Sequence, residues 1–432
     1  MKLKYPVILA AFLFLLFQCG GKEDSSQGNV VLKYWPSSNP NEIALAKDIV
    51  KRWNETHQDI KVKMQPLPAG RSSEEILLAA IVGKTTPDIS SIIWPGVLEQ
   101  YIDAKAVIPL DQFPDFDSVL TSRIPLKSIE LVKSSDGHFY QFPWKVNPIV
   151  FEYNVKRFRE LGIKKPPSTY SEFMDVAAAV TRDTDGDGYI DQWAAYPNIL
   201  VEWWQRFFDF YTYYIAASGG KTLLDDQRVI FDSKAGVEVF KFFYQGFRKG
   251  YFPNTRFQGD AFLRGKLAMH VTGPWTIAYN EKYKPEGFEY DFAPVPVPDD
   301  YRGPLYTYAD PKNIVIFSTT RHPEEAWEFV KYLVSRENDK KLLRITNQMP
   351  FRRDMLKDEY FSEFFQKYPK YRIFAELIPN SIGVDYSIYL QEIFDIISQE
   401  FDASCIQGVK PPEKAVRDAA DRVRRLIERE RL

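Results

Sequence analysis

Within the first hundred residues, short β-rich runs alternate with helical stretches. Val30–Trp35 (VVLKYW) is β-rich, and Asn39, Pro40 and Glu42 then supply an N-cap, a first-turn proline and a capping-box acid ahead of Ile43, Ala46, Val50 and Trp53 at helical spacing. Residues 60–64 read as the next strand, 74–82 as a helix, and 88–94 as a third strand ending in a loop with Pro95 and Gly96. Parallel strands need a crossover, usually a helix, so the alternation predicts a parallel α/β sheet. In open sheets of this kind a ligand sits beyond the carboxyl ends of the strands, which places Trp35, Ser37 and Trp94 where a ligand would lie.

Further along, residues 169–180 begin an amphipathic helix, 201–220 is unusually aromatic, and 233–249 predicts a helix with Val237, Phe240, Phe243 and Phe247 on its apolar side. Residues 412–431 carry Val416, Ala419, Val423 and Leu426 on one stripe with charges elsewhere, so this helix is expected to dock on a lobe and not enter a membrane. A chain of 432 residues, 45% of them hydrophobic, can bury more than one core. The formal net charge of -2 comes from 56 basic and 58 acidic residues mixed along the chain, so there is no broad basic field and nucleic acid is not an expected partner. Phe 32, Tyr 25 and Trp 9 exceed what one core would normally absorb, and some of them are expected to face a ligand.

The amino terminus reads as an export signal: Lys2 and Lys4, an uninterrupted apolar run over 7–17 too short to span a bilayer permanently, then Cys19 and Gly20. Residues 20–29 are small, polar and charged, as a flexible tether requires. A cysteine between the two resembles a bacterial lipobox, although Leu16, Phe17 and Gln18 stand where a small residue is usual before the cysteine. The expectation is a signal peptide over 1–18, a lipidated Cys19 holding the chain to a membrane, and a tether over 19–29; Cys405 is left without a disulfide partner.

Landmarks along the rest of the chain recur in the order of a known family: 32–35 (LKYW), 83–89 (GKTTPDI), 136–143 (DGHFYQFP), 151–154 (FEYN), 167–173 (PSTYSEF), 262–269 (FLRGKLAM), Gly273-Pro274-Trp275, 345–350 (ITNQMP) and 408–415 (GVKPPEKA). The chain resembles the family 1 extracellular solute-binding proteins, the group that includes the maltodextrin-binding proteins. The resemblance implies a type II periplasmic-binding-protein-like fold. Its two α/β lobes, each a sheet flanked by helices, are joined by three crossover segments that form a hinge. Matching positions put the crossings near 146–150, 308–313 and 350–353. The first lobe is then expected from 30–147 plus 312–350, and the second from 148–311 plus 351–432. The resemblance further implies a monomer that delivers a sugar or oligosaccharide to the permeases of an ABC importer.

Sugars offer apolar faces and hydroxyl edges, so aromatic platforms beside polar groups are the pattern to seek. Trp275 matches the family position that stacks on sugar. Trp35 and Trp94 follow early strand ends, and Trp203 or Trp204 lies where the family often places further platforms, one of the two being core. Trp144 and Asn147 precede the first crossing, Tyr308 and Asp310 flank the second, and Tyr386 lies in a segment resembling the last cleft-lining one. Asp183, Asp185 and Asp187, with Gly188 and Asp191, resemble the front of a calcium loop, but position twelve is Ala194 and not a bidentate Glu. In this family a similar acidic turn commonly joins a helix to a strand without metal, and no other cofactor is expected. The four histidines, His57, His138, His270 and His322, form no paired-ligand spacing, and no nucleophile elbow, P-loop or dinucleotide motif occurs. The chain is therefore expected not to be an enzyme. The rivals are a surface carbohydrate-active enzyme using two cleft carboxylates, an adhesin, and a binder of a polyol or glycerol phosphate.

Overall fold

The structure, a computed structural model, describes residues 29–68 and 72–429; the expected signal segment, Cys19 and the tether through Gly28 lie outside the described residues. The chain opens with β1 (Val30–Trp35), α1 (Pro40–Thr56), β2 (Ile60–Met64), α2 (Ser73–Val82) and β3 (Ile89–Ile93), and β1 runs parallel to both β2 and β3. Asn39 caps α1 by accepting the Asn41 and Glu42 amides, with Pro40 in the first turn. Glu42 closes no capping box. Its carboxylate is buried against the Lys145 ammonium at 2.6 Å, and Ser37 Oγ accepts the Asn39 amide in its place.

β4 (Phe142–Pro148) and β5 (Val150–Asn154) follow one another with only Ile149 between, yet belong to different sheets. The chain then builds α3 (Tyr170–Val180), α4 (Phe210–Ser218), α5 (Lys234–Arg248), β6 (Met269–Thr272), α6 (Trp275–Tyr283) and β7 (Tyr290–Ala293). In the second sheet β5 is the middle strand, antiparallel to both β6 and β7, so the parallel expectation describes β1–β3 and not this lobe. β8 (Thr307–Ile316) starts beside Ile149, whose amide donates to Tyr308 O at 2.9 Å, and ends in the first sheet, antiparallel to β3 and β4.

α7 (Pro323–Leu333) and α8 (Arg336–Thr346) follow, and Phe351 N then donates to Trp144 O beside β4 at 2.9 Å. The chain is thus still bonded to the first sheet at the expected third crossing. α9 (Glu359–Lys367) is tied to α8 by Arg344–Glu363 at 3.0 Å, and Arg336, which starts α8, pairs with the α9 cap Asp358 at 2.6 Å. Its Phe361, Phe364 and Phe365 are buried in a core that takes residues from both sheets, Phe142 and Ile314 together with Phe292. The chain reaches the second sheet with α10 (Arg372–Leu377), whose Phe374 packs on Phe292 of β7 at 5.1 Å. β9 (Ser381–Ile382) pairs with the start of β8, and α11 (Leu390–Phe401) and α12 (Pro412–Arg429) close the second lobe, α12 burying Val416, Ala419 and Val423 as its stripe predicts.

The aromatic surplus is largely core. In the second lobe Phe210 meets Phe240 at 5.3 Å, Tyr213 meets Phe243 at 5.0 Å, and Phe243 meets Phe401 at 5.2 Å. Among the described residues no helix is long and apolar enough to cross a membrane.

Candidate ligand-binding site

β6 ends at Thr272 and the chain turns through Gly273 and Pro274 into α6, so Trp275 stands just past the carboxyl end of a strand. Gly273 is required there: a Cβ would come within 2.2 Å of the Trp275 ring. The indole therefore lies back over the turn while staying 37% exposed. The same device recurs at Trp94, just past β3, where a Cβ on Gly96 would come within 2.2 Å of the ring. Trp94, however, is buried, against Trp203 at 5.7 Å and Phe207 at 5.3 Å. From Phe207 the contacts run to Tyr308 at 5.3 Å, and Phe208 bridges Tyr308 at 6.5 Å to Trp275 at 6.4 Å. Trp94, Trp203, Tyr308 and Trp275 are thus one aromatic chain between the lobes, linked by Phe207 and Phe208. Neither link was singled out from sequence.

Beside Trp275 and Phe208 lies a cavity of about 290 Å³, lined also by Tyr196, Asn198, Gln205 and Asp209, at the small end of ligand pockets. Asp209 is 3% exposed and caps α4, its Oδ1 accepting the Phe210 amide at 2.5 Å. Its Oδ2 lies 3.1 Å from Arg206 Nη2, but that nitrogen donates to Asn198 O at 2.6 Å and Leu200 O at 3.3 Å. The pair has charge without a hydrogen bond, Oδ2 is sealed from solvent, and the nearby Asn198 backbone amide favours the charged carboxylate. Burial pushes the Asp209 carboxyl up to about 6 although the Arg206 charge pulls it down. An acid and an arginine three residues apart inside the aromatic run were the signal that sequence reading passed over. Asp209 is the single carboxylate lining this cavity among the described residues, so the cavity does not supply the carboxylate pair of a glycosidase. A larger cavity of about 820 Å³ lies elsewhere, bordered by α4, α5 and residues 298–303. Two ion pairs lie on it, Lys234 with Asp300 and Arg228 with Asp225, beside Lys221, Glu238 and Arg302, and it contains no tryptophan.

The remaining expected residues are placed otherwise. Trp144 is buried at 3% exposure and offers no platform, because β4 is covered on both faces. Asn147 staples strands: its Oδ1 accepts the Met349 amide at 3.2 Å and its Nδ2 donates to Asp310 O at 3.4 Å. Tyr308 is buried, its hydroxyl 3.5 Å from Asp310 Oδ1, and Ser37 is spent on the Asn39 amide. Trp35 and Tyr386 both pack on a third, smaller core, and Tyr386 donates to Leu131 O at 2.6 Å. Of the adjacent tryptophans, Trp203 joins the stack and Trp204 is exposed. Asp183, Asp185 and Asp187 gather on an exposed loop, but Asp183 already accepts the Gly186 and Gly188 amides at 2.7 and 2.8 Å, and Asp191 the Thr184 amide at 3.3 Å, the bonding of a polar turn.

The model of the bacterial extracellular solute-binding protein family matches residues 48–373. The chain is 24% identical over 346 residues to the maltotriose-binding protein of Pyrococcus abyssi, covering 78% of this chain and 69% of that one. It is 25% identical over 238 residues to a maltooligosaccharide ABC transporter solute-binding lipoprotein of Streptococcus pneumoniae, 51% of each chain. Among solved structures, an uncharacterised Listeria monocytogenes protein superposes with a TM-score of 0.80 at 28% identity, over 91% of this chain and all of that one. The cyclic α-maltosyl-1,6-maltose binding protein of Arthrobacter globiformis also gives 0.80, at 18% identity over 93% of this chain and 100% of that one. With the two lobes, the aromatic chain between them and this match over most of its length, the chain belongs to the bacterial extracellular solute-binding protein family.

Proposed function

We propose that this protein captures a sugar or short oligosaccharide of the maltodextrin class beside Trp275 and hands it to the membrane permeases of an ABC importer without altering it. The observation that carries the reading is the Trp275 site: a partly exposed indole fixed over Gly273, beside a small cavity holding a buried carboxylate and the amides of Asn198 and Gln205. An apolar sugar face against indole with hydroxyls toward carboxylate and amides is the match this chemistry makes. Relatives that bind maltotriose and maltooligosaccharides support the same class.

In this reading the ligand favours a closed arrangement of the lobes, with β4–β5 and β8 flexing. A lipid on Cys19 keeps the protein at a membrane on the exported side; Cys19→Ala then abolishes incorporation of labelled fatty acid. No cofactor takes part, and calcium at the acidic loop is not needed. Titrating the purified mature chain with maltotriose and longer maltodextrins, while following scattering and product release, is expected to give saturable binding, compaction and no product. Turnover would establish the enzyme in its place, and binding of glycerol phosphate or a polyol alone would replace the sugar.

A further inference from the structure

α6 is fixed on one side and open on the other. Thr276, Ile277 and Asn280 are buried, and Asn280 donates to the buried Glu152 carboxylate, so the helix is held from within. On the outer side Trp275, Tyr279 and Tyr283 recur at four-residue spacing and are 37%, 45% and 54% exposed. Residues four apart are neighbours on a helix surface, and their side chains lean back over the preceding turn, so the three rings form one file along α6. Tyr279 and Tyr283 meet at 4.8 Å with their planes at 50°. Exposed apolar rings scattered singly are ordinary on a surface, whereas this file starts at the Trp275 platform and continues it.

The file also leads away from the cavity. Trp275 lines the cavity of about 290 Å³, and neither tyrosine does. That volume is at the small end of ligand pockets, so a chain of several sugars runs past it onto open surface. A helix advances about 6 Å in four residues, close to the length of one pyranose unit, so a further ring is offered as the sugar chain grows. At the far end the Lys282 ammonium lies 4.8 Å from the Tyr283 ring centre, placed to donate to sugar hydroxyls.

We propose that Tyr279 and Tyr283 carry the outer units of a longer oligosaccharide whose inner unit rests on Trp275, so that the outer face of α6 sets which chain length the protein retains best. The inference rests on the sugar reading above and adds to it a subsite outside the cavity. Rings that stack on apolar sugar faces place little demand on the hydroxyl pattern, so this subsite discriminates by length.

The test titrates maltotriose and maltoheptaose by calorimetry into the wild type and into the double variant Tyr279→Ala, Tyr283→Ala. Both side chains are exposed, so the variant is expected to unfold close to the wild type. The wild type is expected to bind maltoheptaose roughly 5- to 50-fold more tightly than maltotriose, as for one or two further stacked rings. The variant is expected to keep the maltotriose affinity and lose that advantage. A second arm needs only the wild type: maltoheptaose, and not maltotriose, protects Tyr279 and Tyr283 from nitration read by mass spectrometry, while Tyr189, 76% exposed on the acidic loop, reacts throughout. Equal affinity of the wild type for the two sugars, or an advantage for maltoheptaose that the folded variant keeps, overturns the inference and leaves the sugar reading standing. Altered sedimentation of the free variant, or lost uptake in cells, with the length advantage unchanged gives the face to a second copy or to the permeases and overturns it too. Absence of binding by either sugar overturns the sugar reading and this inference with it.

Discussion

Two buried arginine–aspartate pairs lie in the two lobes, and they are built differently. In the first lobe Arg123 donates Nε to Pro143 O at 3.1 Å, Nη1 to Val334 O at 2.8 Å, Nη2 to Trp144 O at 2.7 Å, and both Nη groups to Asp339. Asp339 also accepts Arg352 Nε at 2.7 Å. Every polar atom of that guanidinium has a partner, and the pair locks α8 to β4. In the second lobe Arg206 and Asp209 are as deeply buried, yet Arg206 Nε and Asp209 Oδ2 lack partners and Asp209 lines a cavity. A complete pair is scaffold. The incomplete one lies beside the Trp275 platform.

Breaking the complete pair is expected to have the largest effect. Asp339→Ala strands two guanidinium groups, Arg123 and Arg352, in the interior and is expected to cost about 3–5 kcal/mol of unfolding free energy, with maltotriose affinity intact in the folded fraction. Denaturant unfolding checks this, and a loss as large in Asp209→Asn would erase the contrast between the lobes.

A smaller effect comes from pH. Asp385, like Asp209, is pushed up to about 6 by burial, though its oxygens accept the Leu223 amide at 3.2 Å and the Leu224 amide at 2.8 Å. An unfolded Asp titrates near 3.9, so the folded state holds the proton more tightly. The stability this gives is full below about pH 4 and is lost as pH rises through about 6. For Asp385 the change is on the order of 3 kcal/mol. Asp385→Asn should flatten the unfolding midpoint across that window, and an unaltered slope would place the titration elsewhere.

The smallest effect is expected at the acidic loop. Backbone amides already occupy the Asp183 oxygens, so millimolar calcium should leave the thermal midpoint unchanged. A calcium-dependent rise that Asp183→Ala removes would restore the cation site.

The first sheet was legible because each element of its opening carries its own signal: the Asn39 cap, the Pro40 turn and the hydrophobic spacing of α1 are local properties. The bounds of the lobes were less so. α9 is tied to α8 through Glu363 and Asp358, partners that only folding brings together. At the site, Trp275 was singled out through the family resemblance, and the turn at Gly273 and Pro274 is what sets its ring. Trp144, Asn147 and Tyr308 sit in segments that pass between lobes, and a passing strand buries its side chains as readily as it presents them. Asp209 stayed hidden because its burial against Arg206 is made only by folding, which no sequence pattern records.

The measurement that tests the account most directly is Trp275→Ala, with ligand affinity and unfolding free energy determined on the same preparation. A half-open platform beside a cavity contributes mainly to the ligand, so maltotriose affinity should fall by about tenfold to a few hundredfold, roughly 1.5–3 kcal/mol, with a much smaller loss of stability. Loss of about 3–5 kcal/mol in stability with affinity unchanged is the signature of a core tryptophan, and it would contradict the placement of the site.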